Sequence, residues 1–300
     1  MFHVKHKNMQ EIKKCPICNS EKLHVFMELK DYSISKEDFT IKKCDSCGFK
    51  ITSPQPSESE LPSYYKSEDY VSHNDSNKGV INYIYQKVKS ITLKQKERLL
   101  TGLKTEKTIL DIGCGTGDFL KYLSDNNWDV RGLEPDEGAR KLSLQKLPGK
   151  IFPIESFNTQ KESSFGIITM WHVLEHVSEI NEYMIQLNKL LKQDGRLIIA
   201  LPNPDSKDAE IYKEHWAAYD VPRHLYHFSK TNIVDLAKKH GFKIESIKPM
   251  VFDSFYVSML SEKFKNGNIL KAASNGLLSN IKASKTTNHS SLIYIFSKNS

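Results

Sequence analysis

The chain has 300 residues, room for one large domain and a small one, and its 39% hydrophobic and 10% aromatic content is enough for a core. No apolar run approaches the ~20 residues of a membrane span and Met1–Lys7 lacks the apolar stretch of a signal peptide, so a cytoplasmic protein without membrane contact is expected. A formal charge of +7 raises nucleic acid as a partner, but the excess is diffuse and mostly lysine, the pattern of a solvated surface.

Residues 1–55 read as a zinc-ribbon-like segment. Cys15-Pro-Ile-Cys18 and Cys44-Asp-Ser-Cys47 form two C-x-x-C hooks, and four thiolates suit a tetrahedral Zn²⁺. The 25 residues between the hooks slightly exceed the commonest spacing, which predicts a hairpin there. Gly48 permits the tight turn of the second hook. Disulfides are disfavoured without a secretory signal, and a redox pair would need one hook rather than two. Zinc would supply on the order of 10 kcal/mol toward folding a segment too small for its own core. The ribbon is either a staple alone or also a cover or docking element for an active site.

Thr52–Glu60 is rich in Pro and Ser and reads as a linker, opening a linker-and-helix segment over 56–105. Leu61–Tyr65 and Tyr70 bring aromatics that close over a ligand or pack the two parts together. Val80, Ile84, Val88 and Ile91 have helical spacing, which predicts a helix over 79–101 with one side against a sheet.

Residues 106–300 alternate strand and helix, the pattern of a parallel sheet covered on both faces. Strands are predicted at 108–112, 129–133, 150–153, 165–170, 195–201, 242–249 and 291–297. Helices are predicted at 118–125, 136–146, 179–192 and 229–240, the last capped by Ser229 and closed by Gly241. After the first strand comes Asp111-Ile-Gly-Cys-Gly-Thr-Gly117. Gly113, Gly115 and Gly117 let a ligand approach the backbone, and the next helix offers unpaired N–H groups. Glu134 closes the second strand, where a carboxylate accepts ribose hydroxyls. A dinucleotide fingerprint would need its third glycine at Asp118, so NAD is not expected. The bland alternative is a tight turn that binds nothing.

This pattern resembles motif I of the class I S-adenosylmethionine (SAM) dependent methyltransferases. The resemblance implies a seven-stranded Rossmann-like sheet whose last strand inserts antiparallel. It implies SAM as cofactor, with Asp111 on the methionine ammonium, Glu134 on the ribose, and Gly113, Cys114, Gly115, Gly117 and Trp171 around the ligand. Cys114 is expected to stay a free thiol in a small position. The segment Trp171-His-Val-Leu-Glu-His-Val177 resembles that of the ubiquinone-biosynthesis-like and methyltransferase-23-like cores. In some ubiquinone-pathway relatives the positions of His172, Glu175 and His176 help bind a divalent metal, although the first is a carboxylate there. The same residues match the H-x-x-E-H of inverted zinc proteases, but a strand-like run precedes them instead of a helix. Gly166 replaces an Asp common in relatives, at a strand start remote from chemistry.

A polar loop follows the fifth strand and holds Tyr219, Asp220, Arg223, His224 and His227. It resembles the Arg-His-Leu-x-His-Phe-Ser stretch of broad methyltransferases. Arg223 is expected to pair an anionic acceptor, and His176 or His224 to serve as base. Trp171, His172, His176, Tyr219, Arg223 and His224 are expected to line one cavity. Residues 250–290 read as a substrate cover or as packing. Zinc hooks ahead of such a core also resemble some sugar C-methyltransferases. The expected function is methyl transfer to O, N or C of a small molecule such as a sugar, polysaccharide precursor or secondary metabolite. The alternatives are an RNA methyltransferase gripping its substrate with the ribbon, or a non-catalytic SAM-binding module.

Overall fold

The computed structural model describes residues 9–57, 59–65 and 80–299, with the side chains of 80–86 left aside, so Tyr70 and the side chains of Val80 and Ile84 lie outside it. The N-terminal strands are β1 (Met9–Gln10), β2 (Leu23–Lys30), β3 (Asp38–Cys44), β4 (Lys50–Thr52) and β5 (Gln55–Pro56). β2 and β3 form the expected hairpin between the cysteine hooks, β4 joins β3, and β5 returns to pair with β1. The Pro- and Ser-rich stretch is not a free linker at its start: Thr52, Ser53 and Gln55 are buried. Thr52 Oγ1 donates to the His224 carbonyl at 2.7 Å and Gln55 Nε2 to the Leu225 carbonyl at 3.1 Å. Composition signals a turn; these distant acceptors make it part of a sheet.

Helix α1 (Val80–Gly102) leads into the large sheet. Its contact with the sheet runs through Leu93, Leu99 and Leu100, whereas Ile91 is exposed, so the inward stripe is rotated from the expected one. There follow β6 (Thr108–Ile112), α2 (Asp118–Asp125), β7 (Asp129–Leu133), α3 (Glu137–Lys146), β8 (Ile151–Phe152), β9 (Phe165–Trp171), α4 (Ile180–Leu190) and β10 (Leu191–Pro202). The chain continues through α5 (Lys207–Tyr212), β11 (Tyr226–His227), α6 (Lys230–Lys239), β12 (Phe242–Pro249), α7 (Asp253–Phe264), α8 (Ile269–Thr286) and β13 (Ser291–Lys298). The sheet order is β12-β13-β10-β9-β6-β7-β8, with β13 antiparallel to both its neighbours, as expected. β10 begins earlier than predicted, since Leu191 already pairs with Phe165 before a register shift to Arg196.

Successive side chains of a strand point to opposite faces, and here they feed two cores. Ile109, Ile167, Ile198 and Ile293 pack with α1 and α2; Leu110, Ile168, Leu197 and Tyr294 pack with α4 and α6. Cys15, Cys44, Phe49 and Ile51 of the ribbon belong to the second of these cores. β11, in the loop after β10, pairs antiparallel with β4. The ribbon is thus built into the carboxyl edge of the sheet. No helix among the described residues is long and apolar enough to cross a membrane.

Candidate functional site

The cofactor side begins where β6 meets its glycine turn. The three glycines have φ of +71°, +57° and +77°, a region that L side chains rarely adopt. Their surroundings differ. A Cβ on Gly113 would sit 2.5 Å from Val173 Cγ2, and one on Gly117 2.8 Å from Ser143 Cβ, while one on Gly115 would meet nothing within 4 Å. Gly113 and Gly117 are therefore packing glycines, and Gly115 leaves its space open. The Gly115 N–H donates to Glu134 Oε2 at 2.6 Å, and the Asp136 N–H to Oε1 at 2.9 Å. Those bonds orient the buried Glu134 carboxylate at the turn. Burial pushes its pKa up, and the two N–H bonds oppose the shift.

Asp111 is buried at the end of β6 and accepts from Thr169 Oγ1 at 2.6 Å. Burial pushes its carboxyl up to about 7, against the pull of Thr169 and of Lys96. Cys114 is a free, buried thiol. A Cβ on Gly132 would come within 2.7 Å of its sulfur, so glycine at 132 leaves the thiol its space. Trp171, at the end of β9, meets Phe119 edge-on at 5.8 Å. Lys96 Nζ stands 3.7 Å from its ring centroid. Burial lowers Lys96 to about 8, with Asp111 and Asp253 opposing. Sequence reading passed over Lys96; its place between Leu93 and Leu100, at i, i+3 and i+7, was the signal.

A second cluster, expected at the acceptor, gathers Glu175, His176 and His224. One ligand atom from each lies within 4.8 Å of the others. His176 Nδ1 is 2.9 Å from the Arg223 carbonyl and 2.9 Å from the Tyr65 hydroxyl. His224 Nδ1 is 2.9 Å from the Ala218 carbonyl. A carbonyl can only accept, so both rings carry their proton on Nδ1 and a lone pair on Nε2. Glu175 is 1% exposed, and neither of its carboxylate oxygens has a hydrogen-bond partner among the described residues. Its nearest ring nitrogens are His172 Nδ1 at 3.5 Å and His224 Nε2 at 4.0 Å. A buried carboxylate without hydrogen bonds is costly unless a cation meets it, and His172 is the ion-pairing group the fold supplies. Burial and the neighbouring His224 hold His176 down to about 4.

Three expected acceptor residues have other roles. Arg223 is buried and its donors are occupied: Nε and Nη2 donate to Asp220, Nη1 and Nη2 to Asp31, and Nη1 to the Tyr64 carbonyl. It bolts the ribbon to the loop and has no donor left for an acceptor. Asp31, its partner in the ribbon, carried no motif and was missed. His172 has φ +56° and its ring sits between Asp253 Oδ2, 3.1 Å from Nε2, and Glu175. Burial opposes its charge, but the two carboxylates outweigh burial and raise it to about 10, which favours the charged ring. Tyr219 is buried edge-on against Trp216 and His227. His224 lines a small cavity with Glu175 and Trp216, while Tyr219 and Arg223 line another with Asp31, Tyr32 and Trp216.

In the ribbon, Cys15 and Cys47 sulfurs are 3.5 Å apart, as are those of Cys18 and Cys44. All four converge within 4.8 Å. Four sulfurs at ~2.3 Å from one centre would be separated by nearly this distance, so the set fits a tetrahedral Zn²⁺.

A family model described as "Methyltransferase domain" matches residues 85–247, more than half of the chain. A ubiquinone biosynthesis O-methyltransferase of Idiomarina loihiensis is 23% identical over 170 residues, 52% of this chain and 70% of its own length. One from Pelagibacter ubique is 26% identical over 211 residues, 62% of this chain and 85% of its own. A solved SAM dependent methyltransferase from Archaeoglobus fulgidus is 17% identical, covering 73% of this chain and 100% of its own at a TM-score of 0.48.

Proposed function

The chain belongs to the methyltransferase-domain family and is a SAM-dependent methyltransferase, and from that premise we propose that it methylates O, N or C of a small-molecule acceptor held beside Glu175, His176 and His224. The observation that carries the cofactor side is the Glu134 carboxylate held by the Gly115 and Asp136 amides next to the one glycine that leaves open space. Glu134 accepts the ribose hydroxyls, Asp111 faces the methionine ammonium, and Trp171 walls the pocket.

In the reaction an acceptor lone pair attacks the SAM methyl carbon in line with the breaking S–CH₃ bond. The sulfonium takes that bonding pair and leaves as S-adenosylhomocysteine. If the acceptor atom carries a proton, it passes to a base. The sulfonium is already reactive, so position and desolvation are the main contributions of the protein. His224 Nε2 is the base in this reading. His176, held at about 4, is a poor proton acceptor and a better ligand.

A second reading follows from the buried Glu175 oxygens, which accept no hydrogen bond although His172 stands 3.5 Å away. Glu175, His176 and His224 would hold a divalent cation, each imidazole donating its other N–H to a carbonyl in the manner of metal-bound histidines. Such an ion would lower the pKa of an acceptor hydroxyl. It uses His224 where the resemblance had suggested His172. In the ribbon, Cys15, Cys18, Cys44 and Cys47 hold a structural Zn²⁺. Through β4 and Asp31 the ribbon supports the acceptor loop, which favours scaffolding over a grip on RNA.

Calorimetry tests the cofactor assignment. S-adenosylhomocysteine should bind and NAD should not. Glu134→Ala should weaken binding by about 1–3 kcal/mol, the cost of unmade hydrogen bonds to a charged group. Binding of NAD alone would overturn the assignment, and unchanged affinity in Glu134→Ala would remove Glu134 from the ribose site.

A further inference from the structure

Most of the exposed large apolar side chains among the described residues lie in one place, between Val251 and Ile281 on the α7–α8 hairpin. Phe252, Phe255 and Met259 form an outward stripe at i, i+3 and i+7, each 38–40% exposed. Leu270, Leu277 and Ile281 form another on α8, exposed by 79%, 53% and 54%. The inward face of α8 is small, with Ala272, Gly276, Ser279 and Ala283, and that of α7 sets Ser254, Ser258 and Ser261 beside Val257 and Glu262. A Cβ on Gly276 would lie 2.9 Å from Phe255 Cδ1, so the helices close tightly and Phe255 reaches the surface of α8. A hairpin that served only its own packing would turn its leucines inward. Leu260 does so, but Leu270, Leu277 and Leu278 face out, in a patch of the kind that marks an interaction surface.

The charges around the patch identify what it meets. Lys263, Lys265, Lys271, Lys282 and Lys285 are exposed and make no ion pair with a described residue. The only carboxylates from 251 to 287 are Asp253 and Glu262. Both are engaged inside the protein, Asp253 with His172 at 3.1 Å and Glu262 with the Tyr212 hydroxyl at 3.2 Å. A second copy docked about a twofold axis would set one lysine rim against another with no carboxylate between. Anionic lipid headgroups supply the missing charge, and acyl chains accept the leucine and phenylalanine stripes. Apolar residues on one face with lysines beside them are the make-up of a helix lying in a membrane interface, which needs no spanning run. We propose that the α7–α8 hairpin seats this protein on the surface of an anionic lipid membrane. The seat adjoins the acceptor side, because Asp253 in the first turn of α7 holds His172.

The test is sedimentation of the full chain with phosphatidylcholine vesicles, with and without phosphatidylglycerol. Binding is expected with phosphatidylglycerol, weakening as salt is added. Leu270→Glu with Leu277→Glu should lower vesicle binding at least tenfold while S-adenosylhomocysteine binding, read on the same protein, stays unchanged. Lys282→Ala and Lys285→Ala should each lower it about fivefold. Absence of wild-type binding to anionic vesicles overturns the proposal. So does a wild-type dimer that the leucine variant splits without any change in vesicle binding. The vesicle readout does not depend on the cofactor assignment, so the two readings fail separately.

Discussion

Between Asp111 and Glu134 the cofactor side is one run of strand, turn, helix and strand, whereas the acceptor side draws on Asp31, Tyr65, Glu175, His224 and Asp253 from five separate segments. The first is held by backbone amides and close-packed glycines. The second is held by a ribbon strand, a buried arginine bolt and a histidine clamped between two carboxylates. A local site depends on the stability of one βαβ unit. A site gathered from distant segments depends on every tie that gathers it, and here those ties are charged, buried and stapled through the ribbon. The two sides should therefore fail separately.

The largest expected effect comes from the staple. Metal analysis should find one Zn²⁺ per chain, reduced in Cys44→Ser, and its loss removes on the order of 10 kcal/mol of ribbon stability. Native-state hydrogen exchange should then show the amides of Thr52 and Tyr226 losing protection while those of Gly115 and Glu134 keep theirs. Equal zinc in both proteins would falsify the four-thiolate site. Equal loss of protection on both sides would break the comparison.

The bolt is next. Arg223→Met leaves Asp31 and Asp220 without their cation, and removing one partner of a buried ion pair costs about 3–5 kcal/mol. Adding Asp31→Asn and Asp220→Asn should recover much of that, because no uncompensated charge remains. Burial would raise the Asp31 pKa, but Arg223 outweighs it and holds the carboxyl below its ordinary value. Its stabilisation is thus complete above the ordinary carboxylate range and fades as pH falls through the depressed value. Urea titration of the variants gives the free energies, and a triple variant no more stable than Arg223→Met would deny the bolt.

The smallest effect belongs to the cofactor side. Asp111 is raised to about 7, so the folded protein holds that proton more tightly than the unfolded chain. Ionising it in the fold costs stability as pH climbs toward 7. The cofactor ammonium needs the ionised form. SAM affinity should therefore fall as pH drops below about 7, by up to tenfold per unit, or ~1.4 kcal/mol. Asp111→Asn should bind weakly and flatly across pH 5–7. A wild-type profile as flat as the variant's would take Asp111 out of contact with the ammonium.

The same contrast separates what could be read from the chain alone. Asp111, the three glycines and Glu134 were legible because spacing along one βαβ unit determines which atoms meet. The seven-stranded sheet and antiparallel β13 followed from a resemblance, and the four cysteines from their spacing. Arg223, His172 and Tyr219 were chemically suggestive, but their buried partners were not legible, since an arginine shows nothing in sequence of the carboxylates that will use its donors. Asp31, which takes up Arg223, and Asp253, which takes up His172, lie in a hairpin loop and a distant helix with no motif around them. Nor could a linker-like Pro–Ser composition reveal that Thr52 and Gln55 bond to the acceptor loop. Sequence by itself determined the cofactor turn, because its partners are close along the chain and largely backbone. Only the tertiary structure decided the acceptor side, because there each side chain's role depends on which distant charge it is buried against.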